Sequence, residues 1–162
     1  MKKLLLSAIL LWVINSTSAQ VVSNNYVNPD EVKIKVLGNQ YTESINNADS
    51  ILGYTLFAHH HGMVSFIHAR GEEHNWEEIN HNIYKFLGET YSKRKLSIDY
   101  ETNWILEDAK AAWVEIYFTF DATLKKDNSN IQVKYIETQL LLKIDDEWKL
   151  ATIHDSNMPN GK

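Results

Sequence analysis

The chain has 162 residues, 44% of them hydrophobic and 11% aromatic, with 16 basic against 21 acidic side chains and no cysteine. That is one packed domain rather than two, and too apolar for disorder. The lack of cysteine excludes disulfides, thiol catalysis and lipoprotein attachment, and the acidic balance is a poor electrostatic match for nucleic acid or anionic lipid.

Lys2 and Lys3 form a basic start, Leu4 to Ile14 an apolar run shorter than the ~20 residues of a membrane span, and Asn15 to Ala19 a small, polar end. Residues 1–19 therefore read as a cleavable export signal, with cleavage before Gln20 and the product periplasmic or secreted. The competing reading is an uncleaved membrane anchor or a buried N-terminal helix. Loss of the two lysines takes the formal charge from −5 to −7. Residues 20–29 read as a short linker and 30–159 as the domain.

Asn28, Pro29 and Glu31 form a helix start with a capping residue, a proline at the first helical position and an acid three residues after the cap. Leu37, Tyr41, Ile45, Ala48 and Leu52 then recur at helical spacing, and Asp49-Ser50 breaks or re-caps the helix before a short segment to Phe57. Met63 to Ala69 reads as a strand and Arg70 to Glu73 as a turn. A second capped helix begins at Asn75, carries the stripe Trp76, Ile79, Ile83, Phe86, Leu87 and ends at Gly88. From Lys95 the period becomes two: Leu96, Ile98, Tyr100, Thr102, Trp104 and Leu106 alternate with polar residues. Ala111–Leu124, Ile131–Ile144 and Trp148–Ser156 follow, separated by Asp/Asn turns, as an antiparallel meander. Helices first and a meander afterwards predict an α+β fold.

If Lys143 and Lys149 both face water, Thr138, Leu140, Leu142, Trp148, Leu150, Thr152, His154 and Ser156 share the inner face. The same register adds Val114, Ile116, Phe118, Phe120 and Ile136 to it. Trp113, Glu115, Tyr117, Thr119, Tyr135, Glu137, Gln139 and Leu141 then form an outer face whose aromatics suggest a protein interface.

This order of elements, ending in Trp148-Lys149-Leu150-Ala151-Thr152-Ile153-His154-Asp155-Ser156, resembles the SnoaL-like, ketosteroid-isomerase-like branch of the nuclear-transport-factor-2-like superfamily. The terminal Trp148, Leu150, His154 and Ser156 carry the resemblance. Phe66-Ile67-His68-Ala69-Arg70-Gly71 and Met158-Pro159 also resemble one of its subgroups. The resemblance implies a cone-shaped half-barrel with helices on the concave face of a strongly curved antiparallel or mixed sheet. It also implies a pocket between the two layers and dimerisation through the outer face. Its members include isomerases, cyclases, dehydratases and non-catalytic binders, so fold alone does not choose among them. No residue is matched here to the isomerase branch's base aspartate or its oxyanion-binding tyrosine.

His154, a titratable ring on an apolar inner strand, is the first acid/base candidate, against the reading of a histidine satisfied by Tyr100, a threonine or the backbone. His68 is the second, sharing a face with Arg70. Arg70, Tyr100, Trp104, Thr138 and Thr152 are the candidate ligand contacts, holding a carboxylate or enolate oxygen against apolar walls. The competing role for Arg70 is a pair with Glu72, Glu73 or Glu78. His59-His60-His61 lacks the spacing of a metal site, and no metal or cofactor is expected. Phosphate loops and G-x-S-x-G elbows are missing from the sequence. Two functions remain. One is a pocket for a small apolar or carboxylated molecule, with proton-transfer chemistry. The other is a non-catalytic homodimeric interaction module built on Trp113, Tyr117, Tyr135, Gln139 and Leu141. Neither nucleic acid nor, once the signal is cleaved, membrane is an expected partner.

Overall fold

The computed structural model describes residues 28–59 and 64–158. Residues 1–19, expected to be an export signal, most of the expected linker and two of the three consecutive histidines, His60 and His61, lie outside those residues. Helix α1 (Pro29–Asn47) starts where the capping residues place it, with the Asn28 side chain accepting from the Asp30 N–H at 3.0 Å. Its stripe of Ile34, Leu37, Tyr41, Ser44 and Ile45 is buried. Ala48 closes it in a left-handed conformation, and Asp49 at once caps α2 (Ser50–Leu56) by accepting from the N–H groups of Ile51 and Leu52.

The second helical region is longer and less regular than its sequence stripe. It comprises α3 (Trp76–Ile79), a π-helical segment (Asn80–Lys85) and α4 (Phe86–Thr90). It runs through Gly88, the residue expected to end it. Asn75 caps its start by accepting from the Glu78 N–H, and the Glu78 carboxylate returns to accept from the His74 N–H.

Strands β1 (Ser65–His68), β2 (Gly71–Glu73), β3 (Tyr91–Ile105), β4 (Ala111–Leu124), β5 (Asn130–Ile144) and β6 (Glu147–Asn157) form one sheet in the order β2-β1-β6-β5-β4-β3. The β1–β6 contact is parallel and the others antiparallel, so the sheet is mixed. It is curved and unclosed, with the helices on its concave side. The core lies between, with Ile34, Tyr41, Phe57, Ile79, Phe118, Ile116, Leu150 and Ile153 all at or below 2% exposure. Each large side chain so buried contributes roughly 1.5–3 kcal/mol of transfer free energy.

Three features reassign the faces expected from alternation. The turn at Asp145-Asp146 has two residues, both at positive φ, the geometry of a tight hairpin, and it pairs Lys143 with Trp148. Those two side chains therefore share a face. Lys143 does not turn to open water but reaches the rim, where Asp30 binds its ammonium at 2.9 Å and the Trp148 indole N–H at 3.0 Å. Consequently Tyr135, Glu137, Gln139 and Leu141 face inward, opposite Phe118, Ile116, Val114 and Ala112, while Ile136, Thr138, Leu140 and Leu142 face outward. Second, Ala151 is an extra residue in β6, between the pairs Leu141–Leu150 and Leu140–Thr152. Trp148 and Leu150 point in before this bulge. After it, Ile153, Asp155 and Asn157 point in, and Thr152, His154 and Ser156 point out. Third, Asp99 is a similar extra residue in β3, so Leu96 and Ile98 face the core while Tyr100 and Trp104 face away from it.

Candidate functional site

A cavity of about 290 Å³ lies between α1, the π-helical segment with α4, and the concave sheet. Its walls are aliphatic (Ile45, Ile83, Leu87, Leu96) and aromatic (Phe66, Phe86, Phe118, Phe120). Its polar groups include Tyr41, Tyr135, Glu137, Asp155, His68 and Arg70. An apolar chamber with a few convergent polar groups is the usual form of a small-molecule site.

Glu137 and Asp155 are directly opposed on β5 and β6 and point into this chamber. Glu137 is 4% exposed. The Tyr41 hydroxyl donates to its Oε2 at 3.1 Å and the Gln139 amide to its Oε1 at 2.6 Å. Burial pushes the Glu137 carboxyl up to about 8, the neighbouring Asp155 adds to the rise, and the two hydrogen bonds oppose it. Asp155 is raised to about 6, again chiefly by burial, with His68, His154 and Arg70 pulling it down and Glu73 pushing it up. Two carboxyls side by side in an apolar cavity do not both ionise readily. At neutral pH the pair is therefore one carboxylate, Asp155, beside one neutral acid, Glu137. Burial also holds the Tyr41 phenol well above its ordinary value, so it stays a donor.

His68 sits at the cavity wall with both ring nitrogens engaged. Nε2 lies 2.9 Å and 3.2 Å from the two oxygens of the buried Glu73 carboxylate, and Nδ1 accepts from the Arg70 backbone N–H at 3.2 Å. The Asn82 side chain, from the π-helical segment, donates to the same carboxylate at 3.2 Å. This arrangement suits the tautomer with hydrogen on Nε2 and makes His68 an orienting group for the turn rather than a free base. The Arg70 guanidinium lies over the Phe86 ring at 4.0 Å. The acids expected to pair with Arg70 are engaged elsewhere: Glu73 with His68, Glu72 with His74, and Glu78 with the His74 backbone.

Of the residues predicted from sequence, the structure brings His68 and Arg70 to the cavity. His154 is exposed on the convex face because of the bulge at Ala151, and Thr138 and Thr152 share that face. Tyr100 (58% exposed) and Trp104 (52%) lie on it too, beyond the bulge at Asp99. Trp113 and Tyr117 face outward as expected, whereas Tyr135, Gln139 and Leu141 belong to the interior. Sequence reasoning missed Asp155, one residue from His154, and Glu137, set on the wrong face. It also took Tyr41 for an ordinary member of a helical stripe. No group of three or more metal-ligating side chains occurs among the described residues.

Fold and cavity together define a cone-shaped α+β pocket protein. A SnoaL-like domain matches residues 34–161, and the chain belongs to that family. It is similar to a nuclear transport factor 2-like superfamily protein from Salmonella enterica serovar Typhimurium LT2, with 31% identity over 83% of this chain and 96% of that one and a TM-score of 0.74. Two more distant structures share the fold. One is a hexachlorocyclohexane dehydrochlorinase, LinA-type3, from Novosphingobium barchaimii (10% identity, 80% of this chain and 87% of that one, TM-score 0.68). The other is an uncharacterized protein with a cystatin-like fold from Caulobacter vibrioides (12% identity, 80% and 90%, TM-score 0.68). No curated protein matches the chain.

Proposed function

We propose that the protein binds a small, largely apolar molecule in this cavity and moves a proton on it, without a cofactor, as an isomerase or lyase. The observation that carries the reading is the pair Asp155 and Glu137: neighbouring carboxyls in one apolar chamber, raised to about 6 and about 8. Between those values one is a base and the other an acid, the division of labour that general acid–base catalysis requires. Asp155 takes a proton from a carbon beside a carbonyl. The electron pair moves onto the carbonyl oxygen, where the neutral Glu137 acid, held in place by Tyr41 and Gln139, supplies a hydrogen bond. Return of the proton to a second carbon completes an isomerisation, and departure of a leaving group from the neighbouring carbon completes an elimination. Neither route needs an oxidant or reductant.

The test is a thermal-shift screen of residues 20–162 against one- and two-ring ketones and enones. A ligand at 100 times its dissociation constant adds about 2.7 kcal/mol. Binding that survives in Asp155→Asn and Glu137→Gln, with turnover lost, supports the assignment. A screen without a hit removes the pocket reading.

A second reading, compatible with the first, is homodimerisation through the convex sheet face. It is favoured by the exposure there of Tyr100, Trp104 and Trp113, the last at 46%, beside Tyr117. Large aromatics left open on a sheet are interface material. Export remains part of the proposal on the strength of residues 1–19. The described residues include no helix long and apolar enough to cross a membrane. Mass spectrometry of the expressed protein, with a mature chain starting at Gln20, checks the export step.

A further inference from the structure

We propose that Arg70 is an anion subsite at the mouth of the cavity and that the natural ligand is a one- or two-ring apolar acid whose carboxylate it binds. This rests on the cavity being a small-molecule site and adds the chemical class of the molecule.

Arg70 stands in the turn between β1 and β2 and lines two spaces at once. One is the apolar chamber. The other is an adjoining polar cleft of about 360 Å³, to which His81, Asn82 and Lys85 contribute. Its backbone is pinned, because His68 accepts its N–H and is itself held by Glu73, which Asn82 steadies in turn. Its guanidinium lies over Phe86, 4.0 Å from the ring centroid, and that ring lines both spaces. A cation held over a ring is attracted through its charge and uses none of its N–H donors on a hydrogen-bond acceptor. No carboxylate among the described residues forms an ion pair with them: Glu72, Glu73 and Glu78 are bound to other groups, and Asp155 feels the Arg70 charge across the chamber without pairing with it. A pre-oriented, unpaired arginine at the rim of an apolar chamber, in a chain of net charge −5, is a fork that matches a planar carboxylate. Lys85 provides a second cation across the cleft, tied only to exposed Glu89 at 3.9 Å.

Size and charge narrow the class. Filled at the interior packing density of ~0.74, the chamber takes a molecule of about 215 Å³, enough for one or two rings but not for four. Aromatic walls on several sides favour a flat body. Asp155 in the chamber and Glu73 and Glu89 in the cleft would repel a dianion such as a phosphate monoester more than a singly charged acid.

Calorimetric titration of wild type, Arg70→Gln and Arg70→Lys with 2-naphthoate and trans-cinnamate, each beside its primary amide, tests the proposal. Wild type is expected to bind each acid about tenfold or more tightly than its amide. Arg70→Gln should erase that preference with amide affinity unchanged, and Arg70→Lys should keep only part of it. Raised salt should weaken the acids alone. Equal binding of acid and amide by wild type, or a preference kept in Arg70→Gln, overturns the subsite and leaves the pocket standing. Binding of neither acids nor amides brings down the pocket reading as well. A thermal melt of each variant separates loss of recognition from loss of fold, and Arg70→Lys keeps the test open if Arg70→Gln does not fold.

Discussion

Replacing Glu137 by glutamine should stabilise the protein, and increasingly so as the pH rises. In the folded state the Glu137 carboxyl keeps its proton up to about pH 8, whereas the same group in the unfolded chain gives it up near the ordinary value of 4.5. Between those two values the unfolded state binds fewer protons than the folded one, so stability falls with rising pH by up to about 1.4 kcal/mol per unit. Below 4.5 both states are protonated and the group contributes nothing; above about 8 the full penalty is in force. Over the window it amounts to a cost on the order of 5 kcal/mol. Glutamine has nearly the same shape, cannot ionise, and can still accept from Gln139 and engage Tyr41. The variant and wild type should therefore have similar stability near pH 4.5 and diverge through pH 8, where the melting temperatures should differ by roughly 10 °C. Urea unfolding of both proteins at intervals from pH 4.5 to 9, followed by tryptophan fluorescence, reads the difference directly. A gap that stays constant with pH would show that Glu137 is ionised in the folded protein and would refute the acid–base division of the pair.

Three further outcomes follow from the same structure. Carbon-13 titration of the Asp155 carboxyl should give a midpoint near 6, and Glu137→Gln should leave it there, because Glu137 is already uncharged at that pH. Gly53→Ala should cost about 1–3 kcal/mol in chemical denaturation, since a methyl group there would run into the buried Tyr84 ring, which is held in place by Ser44 at 2.9 Å. The double variant Trp104→Glu, Trp113→Glu should sediment as a monomer at a concentration where wild type is a dimer, with an unchanged far-ultraviolet spectrum. A wild-type monomer under those conditions would remove the convex-face interface.

The elements of the fold were legible because their signals are local. Asn28-Pro29 and Asn75 cap helices through bonds to residues two or three positions away, and the β-rich half follows the period of its side chains. The site was less legible because it depends on parity, which sums over whole strands. A two-residue turn at Asp145-Asp146 and single extra residues at Ala151 and Asp99 each exchange the two faces of a strand, yet leave its alternation almost unmarked. Lys143 shows the difficulty most clearly. A lysine beside a turn looks like a solvated residue, but this one shares the tryptophan's face and finds Asp30 at the rim. The error in its orientation carried Glu137 out of the pocket. The unseen Ala151 bulge put His154 into the place that Asp155 occupies. His68 and Arg70 were found because the short β1 contains no irregularity between Phe66 and the turn.

Proton transfer by Asp155 is read most directly from solvent deuterium incorporation at carbon beside the carbonyl of small cyclic ketones and enones, followed by proton nuclear magnetic resonance with wild type and Asp155→Asn. Wild type should accelerate exchange for at least one compound of the panel, and Asp155→Asn should lower the rate by roughly 10²–10⁴-fold while still binding it. Exchange as fast in Asp155→Asn as in wild type, or no acceleration by wild type of any compound it binds, would contradict proton transfer by Asp155.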